Sequence, residues 1–136
     1  MPMNFPRAKI VRALVDFFGL DDRRIEHAFK VLFHSEQLLE GRSDCDPEVV
    51  IACALLHDVG IRIAEEKHGR NDGPMQEEYG PPAAEGILRA VGFPEEKIGK
   101  VKDIIGNHHS ASRFPYPELE LLKKADLIVN RAEANG

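Results

Sequence analysis

"PEVVIACALLHDVG", Pro47 to Gly60, is the stretch on which the fold turns. Asp46 followed by Pro47 is a helix start: an aspartate cap, then proline where a missing N–H costs nothing. From Val49 to Leu56 every residue is apolar. A helix without a polar face belongs in the middle of a domain, covered by its neighbours. Yet this one ends in His57 and Asp58, side by side, before Gly60, which reads as the point where the chain turns away. The plain explanation is a helix end where polar groups meet solvent. A carboxylate at a helix C-terminus opposes the macrodipole, however, and calls for a cation nearby.

The segments around this helix are helical too. Ile10, Leu14, Phe17 and Phe18 share one face of a first helix that Gly19 should stop. Asp21 or Asp22 can cap a second helix running to about Glu40, with Ile25, Phe29, Leu32 and Phe33 as its apolar stripe. Residues 61–80 are charged and rich in Gly and Pro, which predicts little regular structure beyond a short helix near Ala64. Pro81 or Pro82 should open the next helix, packed through Ala84, Ile87, Leu88 and Val91. Another carries Ile98, Val101, Ile104 and Ile105 into "NHHSASRFPYP". The last, about Pro117 to Ala134, carries Leu119, Leu122, Ile128 and Val129. No segment alternates as a strand does. The expected fold class is all-α: one domain over residues 1–136, a bundle of about six helices around the central apolar one.

Composition narrows the function. The chain has 136 residues and a formal charge of −5, so nothing draws it to a nucleic-acid polymer or an anionic membrane. No apolar run approaches the roughly 18 residues of a membrane span, and the charged N-terminal stretch does not read as a signal peptide. Cys45 and Cys53 lack metal-site spacing and read as free thiols, which makes the cytoplasm the expected compartment. A homodimer is compatible with all of this.

Two further polar residues stand where apolar ones should. His27 lies on or beside the stripe that includes Val31 and Leu38, and Asp126 follows Leu119 and Leu122 and precedes Val129. Burying an unpaired carboxylate costs several kcal/mol, so such a group is normally paired, hydrogen-bonded or metal-bound. Each has an ordinary structural explanation alone. Together with His57 and Asp58 they make two imidazoles and two carboxylates leaning inward, a donor set suited to Mn, Fe, Co, Ni or Zn.

The order His27, His57-Asp58, Asp126 resembles the H…HD…D signature of the HD superfamily of metal-dependent phosphohydrolases. "IACALLHDVG", "GPPAAEGILRAVGF", "VKDIIGNHH" and "ELELLKKADLIVN" resemble that family's segments in the same order, over about residues 22–132. The resemblance implies that His27, His57, Asp58 and Asp126 ligate one divalent transition metal. It implies hydrolysis of a small phosphate ester, a nucleotide being one candidate, by metal-activated water. Asp58 would orient that water. His108 and His109 would bind phosphate or protonate the leaving oxygen, or serve as ligands of a second ion. Family members with two metals carry a further histidine where this chain has Tyr79, so a second metal is the less expected outcome, although Glu77 or Glu78 could supply a carboxylate. Arg62, Lys67, Arg70 and Arg113 fall in the loops expected to rim the site, and with Tyr79 they are candidate substrate contacts. His68 reads as a solvent-exposed loop residue and His34 as structural. A non-catalytic binding module on the same fold is the alternative function, and a di-iron oxygenase a third.

Overall fold

The central helix forms as its caps dictate. In a computed structural model, which describes residues 5–135, α3 (Pro47–Leu56) starts where the Asp46 side chain accepts from the Glu48 N–H at 3.0 Å. Around it pack α1 (Arg7–Phe18), α2 (Asp22–Leu39), α6 (Glu95–Ile105) and α7 (Pro117–Asn135). Two more helices, α4 (Gly60–His68) and α5 (Gly73–Val91), pack on each other, and α5 also packs on α6. No strand occurs among the described residues, and none of their helices is long and apolar enough to cross a membrane. The all-α bundle is therefore as expected, with α4 as the short helix around Ala64. The core is continuous from Ile10 and Leu14 through Leu55 and Leu56 to Leu88, Ile104 and Leu122. Both cysteines are free and buried.

Three expectations are corrected. The first is the apolar stripe of α2. Its buried residues are His27, Ala28, Val31, Leu32 and Ser35, whereas Phe29 and Phe33 are 37% and 58% exposed. The helix is rotated so that a histidine and a serine face inward and two phenyl rings face out. Docking on α3 and α7 sets that rotation, against the ranking of side-chain hydrophobicity.

The second is the start of α5. Its N-cap is Asp72, whose side chain accepts from the Met75 N–H at 3.2 Å, and Pro74 sits in the first turn. Pro81 and Pro82 lie inside the helix rather than at its start. Each lacks the N–H that would bond the carbonyl four residues back, a defect of about 3 kcal/mol in an isolated helix. Packing on both α4 and α6 offsets it here, so 61–80 is mostly helical.

The third is Gly60. Its role is not a turn away from the ion. The chain makes a single turn over His57–Val59 and continues into α4, with Ile61 N–H donating to the Asp58 carbonyl at 3.0 Å. Gly60 instead lets α4 press onto α5. A Cβ there would lie 2.7 Å from both the Gln76 carbonyl oxygen and the Gly80 nitrogen.

Candidate metal centre

Three helices and one loop deliver the site. His27 comes from the middle of α2, and His57 and Asp58 from the end of α3. Asp126 comes from α7, and His108 and His109 from the loop after α6. A helix leaves its last carbonyls without intrahelical donors. Two of these orphans orient the imidazoles: His57 Nδ1 donates to Ala54 O at 2.9 Å, and His108 Nδ1 to Ile105 O at 2.6 Å. A carbonyl can only accept, so both rings carry their proton on Nδ1 and present Nε2 inward. The loop behind His108 is pinned by buried Asn107, which accepts from Arg113 N–H at 2.7 Å and donates to Ser110 Oγ and Ala111 O.

The four expected ligands converge. His27 Nε2 lies 3.1 Å from Asp126 Oδ1 and 3.4 Å from Asp58 Oδ2. His57 Nε2 lies 3.3 Å from Asp58 Oδ2 and 3.4 Å from Asp126 Oδ1. Although these oxygens surround it, the fully buried His57 Nε2 has none of them in hydrogen-bonding geometry, and the same holds for His108 Nε2, 3.7 Å from Asp58 Oδ1. Buried polar atoms are rarely left without a partner. Lone pairs and carboxylate oxygens sharing one small space are the donor set of a divalent cation, so the residues present fit a metal. A second set, Asp58 with His108 and His109, also has one ligand atom from each residue within 4.8 Å of the others.

The electrostatics follow from this crowding. Burial alone would lower the His57 pKa, but the charges of Asp58 and Asp126 outweigh it and hold it well above the usual imidazole value. His27 is raised as well: burial lowers it, and the bond to Asp126 and the charge of Asp58 more than compensate. Burial would raise Asp58 and Asp126, yet the neighbouring histidines hold both below the ordinary carboxylate range. As the side chains stand, His27 donates from Nε2 to Asp126 and from Nδ1 to Glu133 at 3.1 Å, the bonding of an imidazolium.

The expected substrate contacts are engaged elsewhere. Arg62 donates to the Phe17 carbonyl and to Glu66, and lies over the Phe17 ring. Arg70 pairs with Asp72. Lys67 sits over the Tyr79 ring, whose hydroxyl bonds His68 Nε2 at 2.7 Å. Arg113 braces its own loop through Gly106 O and Ser110 Oγ. The reason is local in each case: Arg62 near the start of α4 reaches Phe17 of α1, Lys67 near its end reaches Tyr79 of α5, and the 107–113 loop folds back on itself. Glu77 accepts from His109 N–H and Ser110 Oγ, and Glu78 is exposed. His34 is half-buried against Phe33, and His68 is exposed.

Other residues take those places. A cavity of about 200 Å³ opens onto His27 and Asp58, walled by Arg23, Asn71, Asn130 and Glu133. Two of these were findable: Asn130 and Glu133 stand four and seven residues after Asp126 on α7, one helical face. Arg23 likewise stands four residues before His27. Gln76 on α5 faces His109, and no signal in the sequence separated it from its charged neighbours.

Against this geometry, the sequence profile of the HD domain family matches residues 24–131. The chain belongs to the HD domain family. Among solved structures, a predicted HD superfamily hydrolase from an uncultured Thermotogales bacterium is similar, with a TM-score of 0.67 at 24% identity. The match covers 94% of this chain and 74% of the other. At that identity the likeness speaks for the fold. No curated protein matches the sequence significantly.

Proposed function

We propose that this HD-domain protein is a metal-dependent phosphohydrolase that cleaves a small phosphate ester. The observation that carries the reading is the buried, partnerless Nε2 of His57 among carboxylate oxygens of Asp58 and Asp126, with His27 beside them. These four residues would hold the ion, with Mn, Fe, Co, Ni and Zn all suited to the donor set. A bound divalent ion lowers the pKa of its water and screens the charge of a phosphoryl group. The rest falls to the chain. Asp58 directs Oδ2 toward His27 and His57 and Oδ1 toward His108, so one oxygen can ligate while the other accepts a hydrogen bond from the attacking water. His108 and His109 would receive a phosphoryl oxygen or protonate the leaving one. Arg23 and Asn130 offer donors at the cavity wall, the guanidinium matching two phosphoryl oxygens at once. A cavity of about 200 Å³ suits a phosphate group with only part of its leaving alcohol inside. The description of the Thermotogales relative as a predicted hydrolase points the same way.

A dinuclear centre is a second reading, favoured by the Asp58, His108 and His109 set, in which Asp58 would serve both ions. Metal analysis of purified protein, combined with hydrolysis of p-nitrophenyl phosphate, tests both. One ion per chain with turnover supports the first reading, and two ions support the second. His57→Ala and Asp126→Ala should abolish turnover and metal while the helical circular-dichroism spectrum survives. Bound metal without turnover on a broad panel of phosphate esters would overturn the hydrolase in favour of a binding module. Two irons with oxygen consumption would overturn it in favour of an oxygenase.

A further inference from the structure

The histidines around the centre do not all bond their protein partners through the same nitrogen. His57 and His108 give their Nδ1 protons to helix-end carbonyls, and His27 turns its Nδ1 to Glu133. All three leave Nε2 for the interior. His109 is reversed: its Nε2 is bonded to Oε1 of Gln76, a buried side chain of α5.

The direction of that bond can be worked out. The other end of the Gln76 amide lies 2.6 Å from the Asn71 carbonyl. A carbonyl only accepts, so the amide nitrogen must be on that side and Oε1 must face His109. Oε1 only accepts in turn, so His109 Nε2 must carry the proton. Nδ1 of His109 is then the nitrogen with a free lone pair.

The surroundings hold this arrangement. His109 N–H donates to Glu77 Oε2 at 2.9 Å, which fixes its backbone over the start of α5. Gly73 makes room there, since a Cβ at that position would sit 3.2 Å from His109 Cβ. Asn71 is itself tied by its side chain to Glu65 at 2.6 Å, and Glu65 takes a two-pronged bond from Arg24, both contacts at 3.0 Å. Arg24 is one turn before His27 on α2. A polar chain thus runs from the α2 turn beside one expected ligand to the imidazole of His109.

We propose that Gln76 is a positioning residue that sets His109 in the Nε2–H tautomer, making Nδ1 the basic nitrogen of a ring whose centroid lies 4.0 Å from that of His108. Which partner Nδ1 serves, an ion or a substrate proton, rests on the phosphohydrolase reading; the tautomer does not. A ligating or catalytic imidazole is only as effective as the bond that holds its other nitrogen, and loss of such a partner typically costs roughly 10–100-fold in affinity or activity.

The test is a long-range ¹H–¹⁵N correlation spectrum of ¹⁵N-histidine-labelled protein, metal-free and loaded with Zn²⁺, with His109 assigned by its absence in His109→Gln. The expected pattern is Nε2–H for His109 in both states, with Nδ1–H for His57 and His108 in the Zn²⁺-loaded protein. Gln76→Leu removes the acceptor and should shift His109 to a mixture of tautomers. On p-nitrophenyl phosphate, Gln76→Leu should lower kcat roughly 10–100-fold with little change in KM. An Nδ1–H pattern for His109 in the unaltered protein overturns the proposal. So does an Nε2–H pattern that survives Gln76→Leu. If Gln76→Leu does not fold, the unaltered protein's spectrum still decides. An Nε2–H pattern in a protein without phosphatase activity would leave the proposal standing and remove the reaction.

Discussion

Gly60→Ala tests the architecture and the site together. Gly60 is buried at the first residue of α4, two positions after Asp58. A Cβ there meets the Gln76 carbonyl oxygen and the Gly80 nitrogen at 2.7 Å and the Gly80 Cα at 3.0 Å, whereas ordinary contact begins near 3.4 Å. All three are backbone atoms, which cannot rotate aside as a side-chain tip can. The helices must separate by most of an ångström, and overpacking of this kind costs about 1–3 kcal/mol. Alanine regains part of that through its helix propensity, worth up to about 1 kcal/mol over glycine and less at a helix start. For a chain of this length the balance lowers Tm by about 3–10 °C. The same separation moves Asp58 against Gln76, so turnover should fall as well. Thermal melts followed by circular dichroism check it, with Gly86→Ala as the control. Gly86 is an exposed residue of α5 with nothing within 4 Å of its would-be Cβ. There alanine should raise stability by up to about 1 kcal/mol. A Gly60→Ala protein that melts at or above the unaltered one would refute the close approach of α4 to α5.

Glu133→Ala should weaken metal binding roughly 10–100-fold by removing the acceptor of His27 Nδ1; chelator competition measures it, and unchanged affinity would show that Glu133 does not orient the ring. Arg23→Ala should raise KM for a phosphate ester severalfold with metal content intact, while Lys67→Ala and Arg113→Ala stay near the unaltered value; equal effects from all three would remove Arg23 from the cavity's function. In metal-stripped protein, the raised pKa values of His27 and His57 contribute stability that is full below about pH 6.5 and is lost as pH rises through their folded values. The lowered values of Asp58 and Asp126 contribute stability present above about pH 4 and lost as pH falls through their folded values. Urea midpoints of the stripped protein should therefore peak between about pH 4 and 6.5, and a profile flat from pH 5 to 8 would contradict the pairing.

The sequence made α3 legible because cap, proline and an unbroken apolar run all agree, and it made the four converging residues legible because each breaks an apolar pattern. Where signals conflict, the reading failed for a physical reason. Phe29 and Phe33 are more hydrophobic than His27 and Ser35, but docking against α3 and α7 fixes the rotation of α2, and no local scale contains that information.

Which side chains of residues 71–80 turn toward the site depends on helix phase. With α5 taken to begin at the Pro81–Pro82 pair, residues 71–80 had no phase, and Tyr79 stood for the whole segment. Once Asp72 is the cap, Gln76 and Tyr79 are three residues apart on one helix, about 60° apart around it and about one turn apart along it, and each reaches its own neighbour. Tyr79 turns to His68 and Lys67, and Gln76 turns to His109. The replacement of the family's histidine by Tyr79 therefore bears less on the number of ions than the sequence suggested, because that side chain has its partners elsewhere. The residues that bear on it are Asp58, with an oxygen on each side, and the nitrogen that Gln76 leaves free on His109.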